Sequence, residues 1–116
     1  MSAPSPDWQR LVDAPTLAAA LGHPDLRIVD ARFAAAALAD PQAAQLARQA
    51  YTQSHLPAAV YADLNTDLSD LGRPGLGRHP LPEADAFAQT LGRWGIAPHT
   101  QVVIYDAGDG SMAAAR

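Results

Sequence analysis

The sequence predicts an α/β domain: a parallel sheet with helices on both faces, incomplete at its carboxyl-terminal end. Three observations carry this expectation. Helix-forming stretches alternate with short β-like runs along the chain. Those runs are nearly continuous in apolar residues, as strands covered on both faces must be. Gly, Pro and Asp collect between them, where turns need a preset backbone or a side chain that bonds its own backbone.

Residues 1–10 open with a Ser- and Pro-rich stretch and are expected to form a loose N-terminal segment, so the domain is drawn over 11–116. Asp13 can cap a short helix with Pro15 in its first turn, Leu17 and Leu21 on one face and Gly22 as its stop. Leu26-Arg27-Ile28-Val29-Asp30 reads as a buried strand ending in an acid. Pro41 sits as a first-turn proline ahead of a helix from Gln42 to Tyr51, in which Leu46 and Ala50 recur at helical spacing. Val60 to Leu64 is a second strand, and a polar loop runs from Asn65 to Pro80. In the helix from Glu83 to Trp94, Ala84, Phe87, Leu91 and Trp94 form one stripe and Gly95 marks the stop. Gln101 to Tyr105 is the most β-like run, with Asp106 at its carboxyl end. The small-residue loop that follows opens toward a helix at Met112, and Arg116 is expected to be a truncation point that leaves the sheet edge unfinished.

Composition excludes several classes of function. A chain of 116 residues holds one small domain or part of one. The net charge of −4 and the scattered arginines give no basic field for a nucleic-acid partner. With no cysteine there is no disulfide framework, no thiolate metal site and no thiol nucleophile. With no lysine there is no Schiff-base amine. The N-terminus lacks the basic and apolar regions of a secretory signal, and no apolar run reaches membrane-spanning length, so a cytoplasmic protein with no membrane partner is expected.

In open parallel sheets ligands sit beyond the carboxyl ends of the strands, which directs attention to the loops after Asp30, Leu64 and Asp106. Asp63, Asn65 and Asp67 have the opening spacing of a calcium loop, but Leu68 stands where the sharp turn needs glycine and Pro74 where a bidentate Glu is required. His23, His55, His79 and His99 show no metal-ligand spacing, and no cofactor is implied. His23 and His99 adjoin prolines in turns, and His55 is expected to bond backbone groups at a strand entry. His79 differs, because it lies in the long loop leaving a strand's carboxyl end, beside Arg78 and ahead of Pro80 and Pro82. Asp106 followed by Asp109 invites comparison with aspartyl-phosphate phosphatases, although their acids are spaced one residue closer. The alternative role for Asp106 is to cap the helix that follows it.

Taken as an ordered set, Ile28-Val29-Asp30-Ala31-Arg32, His55-Leu56-Pro57-Ala58-Ala59-Val60, Asp63-Leu64, Arg78-His79-Pro80-Leu81-Pro82 and Val102-Val103-Ile104-Tyr105-Asp106 resemble the front half of the tandem rhodanese family. These are the thiosulfate and 3-mercaptopyruvate sulfurtransferases. The resemblance implies that Asp106 stands where a catalytic domain carries its persulfide-forming cysteine, and that this cysteine lies in a second domain of the same polypeptide. It implies transfer of sulfane sulfur from a small donor to cyanide or a thiol. His79, Arg78 and Arg116 become candidates for the donor side of the cleft, with Asp63, Asn65 and Asp67 as candidates to orient His79. Where the family has H-I-P-G-A, Ala58 replaces the glycine, and its Cβ leads to the expectation of negative φ there. A lone inactive module that binds a protein partner is the rival expectation.

Overall fold

The computed structural model describes residues 8–32, 41–64, 66–75, 80–108, 110 and 113. The elements run α1 (Ala14–Ala20), β1 (Leu26–Asp30), α2 (Pro41–Gln53), β2 (Val60–Tyr61), α3 (Ala84–Arg93) and β3 (Gln101–Tyr105). The sheet is parallel with order β2-β1-β3, so the chain first crosses to one side of β1 and later to the other. Right-handed crossovers in opposite directions place the two crossover helices on opposite faces.

The contacts agree with that rule. Register aligns Ile28 with Val103 and Asp30 with both Tyr105 and Tyr61, so these residues share one face. On that face Leu26 and Ile28 pack with Trp8, Leu17, Ala20, Val103 and Tyr105, and Tyr51 of α2 lies 5.3 Å from the Tyr61 ring. On the other face, Phe87 and Leu91 of α3 and its C-cap Trp94 line one hollow with Val29, Val102 and Ile104. The folded part starts earlier than Leu11, because Trp8 packs against this core and its N–H donates to Gln101 Oε1 at 2.9 Å.

α1 starts as its sequence requires, with Asp13 accepting from the Thr16 N–H at 2.8 Å. Leu21 does not extend the buried face: it is an extended C-cap, 38% exposed, ahead of Gly22 at φ +85°. In α2, Leu46 is exposed and its spacing with Ala50 does not mark a core stripe. In α3, Ala84 is exposed, and the buried position is Thr90, whose hydroxyl bonds the Ala86 carbonyl. β2 is shorter than Val60 to Leu64. After one more ladder bond from Ala62 N–H to Asp30 O, the Asp63 carbonyl accepts from Asp67 and Leu68 N–H and turns the chain.

The expectation of negative φ at Ala58 is overturned, since it adopts φ +62°. The turn from Leu56 to Ala59 closes with an N–H to carbonyl bond of 3.0 Å, with Pro57 and Ala58 at its second and third positions; a type II turn, which favours Pro at the second, takes positive φ at the third. An L-residue in this region costs about 1–2 kcal/mol. Ala58→Gly is therefore expected to raise stability by about 1 kcal/mol in urea unfolding, the strain relief outweighing the looser unfolded chain. An unchanged or lower midpoint would contradict this.

Candidate functional site

The carboxyl ends of the three strands meet at a buried acid. Asp30 has no solvent exposure and ends the central strand. Its carboxylate accepts from the Arg32 N–H at 2.9 Å, from Arg32 Nε at 2.9 and 3.1 Å, and from the Tyr105 hydroxyl at 2.8 Å. Arg32 Nη2 lies 2.8 Å from the same carboxylate and also donates to the Ser54 carbonyl at 2.7 Å. Tyr105 Oη in turn accepts from the Leu56 N–H at 3.2 Å. The turn between α2 and β2 is thus tied to the ends of β1 and β3. The hydrogen bond to Asp30 holds the Arg32 guanidinium above its usual range, outweighing partial burial.

Asp106 follows Tyr105 directly. Its Oδ1 accepts from the Gly108 and Gly110 N–H groups at 2.8 and 3.0 Å, and its Oδ2 from the Ala113 N–H at 3.0 Å. The loop wraps round the carboxylate as a nest of backbone donors, with Gly110 supplying φ +89°. Such a nest stabilises any anion at its centre. It holds both carboxylate oxygens inward, an arrangement suited to capping and opposed to attack on an electrophile.

Asp63 and Asp67 are brought together with each other. Asp63 N–H donates to Asp67 Oδ2 at 2.9 Å, Arg48 of α2 donates to Asp63 at 3.0 Å, and Arg93 of α3 lies 3.8 Å from Asp67. The two acids clamp helices from opposite faces of the sheet. His79, Arg78, Asn65, Arg116 and Asp109 lie outside the described residues. The residues on either side of that stretch are joined, since Pro80 is buried and its carbonyl accepts from the Asp70 N–H at 2.8 Å. His55 bonds the Tyr51 carbonyl at 2.7 Å and stacks on the Tyr51 ring. His99 is exposed, 3.4 Å from Asp25. Among the described residues no group of acids and histidines has metal-site geometry, and no helix is long and apolar enough to cross a membrane.

What sequence reasoning missed is the Asp30, Arg32 and Tyr105 network. An acid at the end of an apolar run was its one local signal; Tyr105 lies 75 residues from Asp30, a separation no local pattern spans.

A parallel α/β sheet with a backbone nest at the exit of one edge strand defines a domain of the kind that holds an anion at its strand ends. The chain belongs to the rhodanese-like domain family, which it matches over residues 13–116. A protein of Pseudomonas aeruginosa named "Probable 3-mercaptopyruvate sulfurtransferase" is 44% identical over 106 residues, covering 90% of this chain and 35% of that protein. Human 3-mercaptopyruvate sulfurtransferase is 35% identical over 109 residues, covering 90% and 34%. The solved structure of 3-mercaptopyruvate sulfurtransferase from Leishmania major superposes with a TM-score of 0.66 at 29% identity, covering 83% of this chain and 25% of that one. The chain spans about a third of the length of the curated relatives it matches.

Two outcomes test the site. Asp106→Ala removes the acceptor for three backbone donors, and is expected to lower stability by about 1–2 kcal/mol in urea unfolding, with Asp106→Asn retaining part of it. The second concerns alkaline pH. Burial raises the Tyr105 phenol above its ordinary 10.0; the Leu56 N–H partly opposes this and the bond to Asp30 adds to it. The folded state therefore holds this proton more tightly than the unfolded state. The stability it contributes is complete below pH 10.0 and is lost as pH rises through the folded value. Tyr105→Phe should flatten the loss of stability above pH 10.0 relative to the unaltered chain, whereas parallel pH curves would show that the phenol carries none of it.

Proposed function

We propose that the chain is the non-catalytic front domain of a two-domain cytoplasmic sulfurtransferase, shaping one wall of a cleft against a second rhodanese domain. The observation that carries this reading is the Asp106 carboxylate at the centre of the β3 exit loop, in a chain without cysteine. Where the family's catalytic loop presents a thiolate, this loop holds a fixed anion that repels another. In the proposed parent reaction, a cysteine thiolate of the second domain attacks the outer sulfur of the donor. The S–S bond of thiosulfate or the C–S bond of 3-mercaptopyruvate breaks, leaving sulfite or the pyruvate enolate, and a persulfide forms. Cyanide or a thiolate then takes the outer sulfur and releases the cysteine thiolate.

His79 is proposed as the front domain's contribution, donating to the donor's anionic group, with Arg78 and Arg116 as nearby cations. Its sequence neighbour Pro80 is buried and bonded to the Asp70 N–H. Asp63 and Asp67 already hold each other and two arginines, which favours support of the loop base as their role over orientation of the imidazole. The closed nest round Asp106 favours this reading over aspartyl-phosphate chemistry.

The test has two parts. The 116-residue chain alone is expected to produce no thiocyanate from cyanide with either donor. In the complete two-domain protein, His79→Ala should lower kcat/KM about tenfold with the donor it positions. Thiocyanate formation by the chain alone would sink the first part, and unchanged kinetics with both donors would sink the second. A stop codon directly after Arg116 in the gene would instead support the lone inactive module that binds a protein partner.

A further inference from the structure

β3 pairs with β1 on one side only, and a groove of about 360 Å³ runs along its other edge, lined by the whole strand from Gln101 to Tyr105. Gln101 N–H donates to the Asp25 carbonyl and the Tyr105 carbonyl accepts from Ala31 N–H, so Gln101, Val103 and Tyr105 turn their backbone groups toward β1. Those of Val102 and Ile104 therefore face the groove. Neither of their N–H groups, nor the Ile104 carbonyl, has a partner among the described residues. The strand carries no charge and no proline, the devices that keep a sheet edge from pairing.

The far wall of the groove is the segment from Trp8 to Val12, which makes no backbone hydrogen bond to β3 among the described residues. The Gln101 side chain spans the gap instead. Its Oε1 accepts from the Trp8 N–H at 2.9 Å and its Nε2 donates to the Val102 carbonyl at 3.4 Å. One amide thus accepts from one wall and donates to the other, as a peptide group of a strand lying between them would. The surfaces above and below are apolar. Trp8 and Leu17 line the groove on the Val103 face, and on the opposite face Ile104 stays 43% exposed beside the hollow that Leu91 and Ile96 line. Arg10 also lines the groove, exposed and with no ion pair among the described residues.

We propose that this groove takes an extended apolar segment of a partner polypeptide, added as a strand between β3 and residues 8–12. Its backbone pairs with Val102 and Ile104 and displaces the Gln101 amide from the Val102 carbonyl. Because both of its faces meet apolar surface, the segment is a short run of consecutive β-branched residues, without polar alternation. An acid at one end of the run pairs with Arg10. A compact ligand would leave the row of backbone donors and acceptors unmet, and a helix has no free backbone groups to offer them.

The probe is the capped peptide acetyl-Asp-Val-Ile-Val-Thr-amide, followed by Trp fluorescence and by amide hydrogen exchange of the 116-residue chain. Without peptide, the Val102 and Ile104 amides are expected to exchange faster than those of Val103 and Tyr105, which bond to β1. Saturating peptide should slow exchange at Val102 and Ile104 by at least about tenfold. The same peptide with its two central amides N-methylated keeps its side chains but loses backbone donors, and should bind at least about tenfold more weakly. Replacing its Asp by Asn should weaken binding about threefold, and Arg10→Gln should abolish that preference. Four outcomes would each overturn the proposal. Protection of Val102 and Ile104 without peptide at every chain concentration would mean that the chain's own residues fill the groove. Protection that grows with chain concentration, with a dimer seen by sedimentation, would mean a second copy. The others are equal binding of the N-methylated peptide and peptide-induced changes centred on Gly22 and Gly95.

Discussion

A carboxylate with no solvent exposure, Asp30, sits where the middle strand of the sheet ends, and the rest of the strand ends are arranged around it. A lone charge there would be prohibitively costly, so its oxygens must be met by donors, and Arg32 and Tyr105 meet them. The donors are themselves held by the turn between α2 and β2, through the Ser54 carbonyl and the Leu56 N–H. Removing one partner of such a buried pair typically costs about 3–5 kcal/mol, which is a large share of a small domain's stability. The network therefore binds three separate stretches of chain into one rigid end. It also fixes Tyr105, and with it the point from which the Asp106 loop departs.

At that loop the physics of a catalytic cradle and of a structural cap coincide. Backbone N–H groups converging on one point stabilise negative charge there, and they are indifferent to whether it belongs to a carboxylate or a sulfur anion. With Asp106 in place the carboxylate is internal and hydrogen-bonded at both oxygens. The proposed division of labour between two rhodanese domains follows from this one side chain. A domain whose cradle is filled by its own anion is left with shaping and positioning.

The two ends of the sheet are chemically opposite. At the carboxyl end, acids are satisfied by backbone donors and by Arg32, Arg48 and Arg93. At the amino end Arg27 donates to the Pro24 and Leu26 carbonyls, and among the described residues no ion pair reaches it. Short pairing on one side of β1 thus leaves an apolar hollow lined by Leu21, Ile28, Pro57 and Val60, while Gly95 packs against the Nε and Nη2 edge of Arg27.

The sequence by itself determined the element order, the parallel α/β architecture and the helix cap at Asp13, because period, caps and turn residues are local properties that need no partner to be read. The strand β3 was legible to the residue, and so was the place of Asp106 at its end. Only the tertiary structure decided the positive φ at Ala58, since closing the Leu56 to Ala59 turn onto β2 overrides the preference of an alanine. Only it decided that β2 ends at Tyr61, where the turn bonds of Asp63 outcompete further ladder pairing. Leu46 and Leu21 looked like core residues and are not, because helical spacing gives a face without saying what covers it. The buried network joins Asp30 and its near neighbour Arg32 to Tyr105, 75 residues from Asp30, and a buried charge finds such a donor in space.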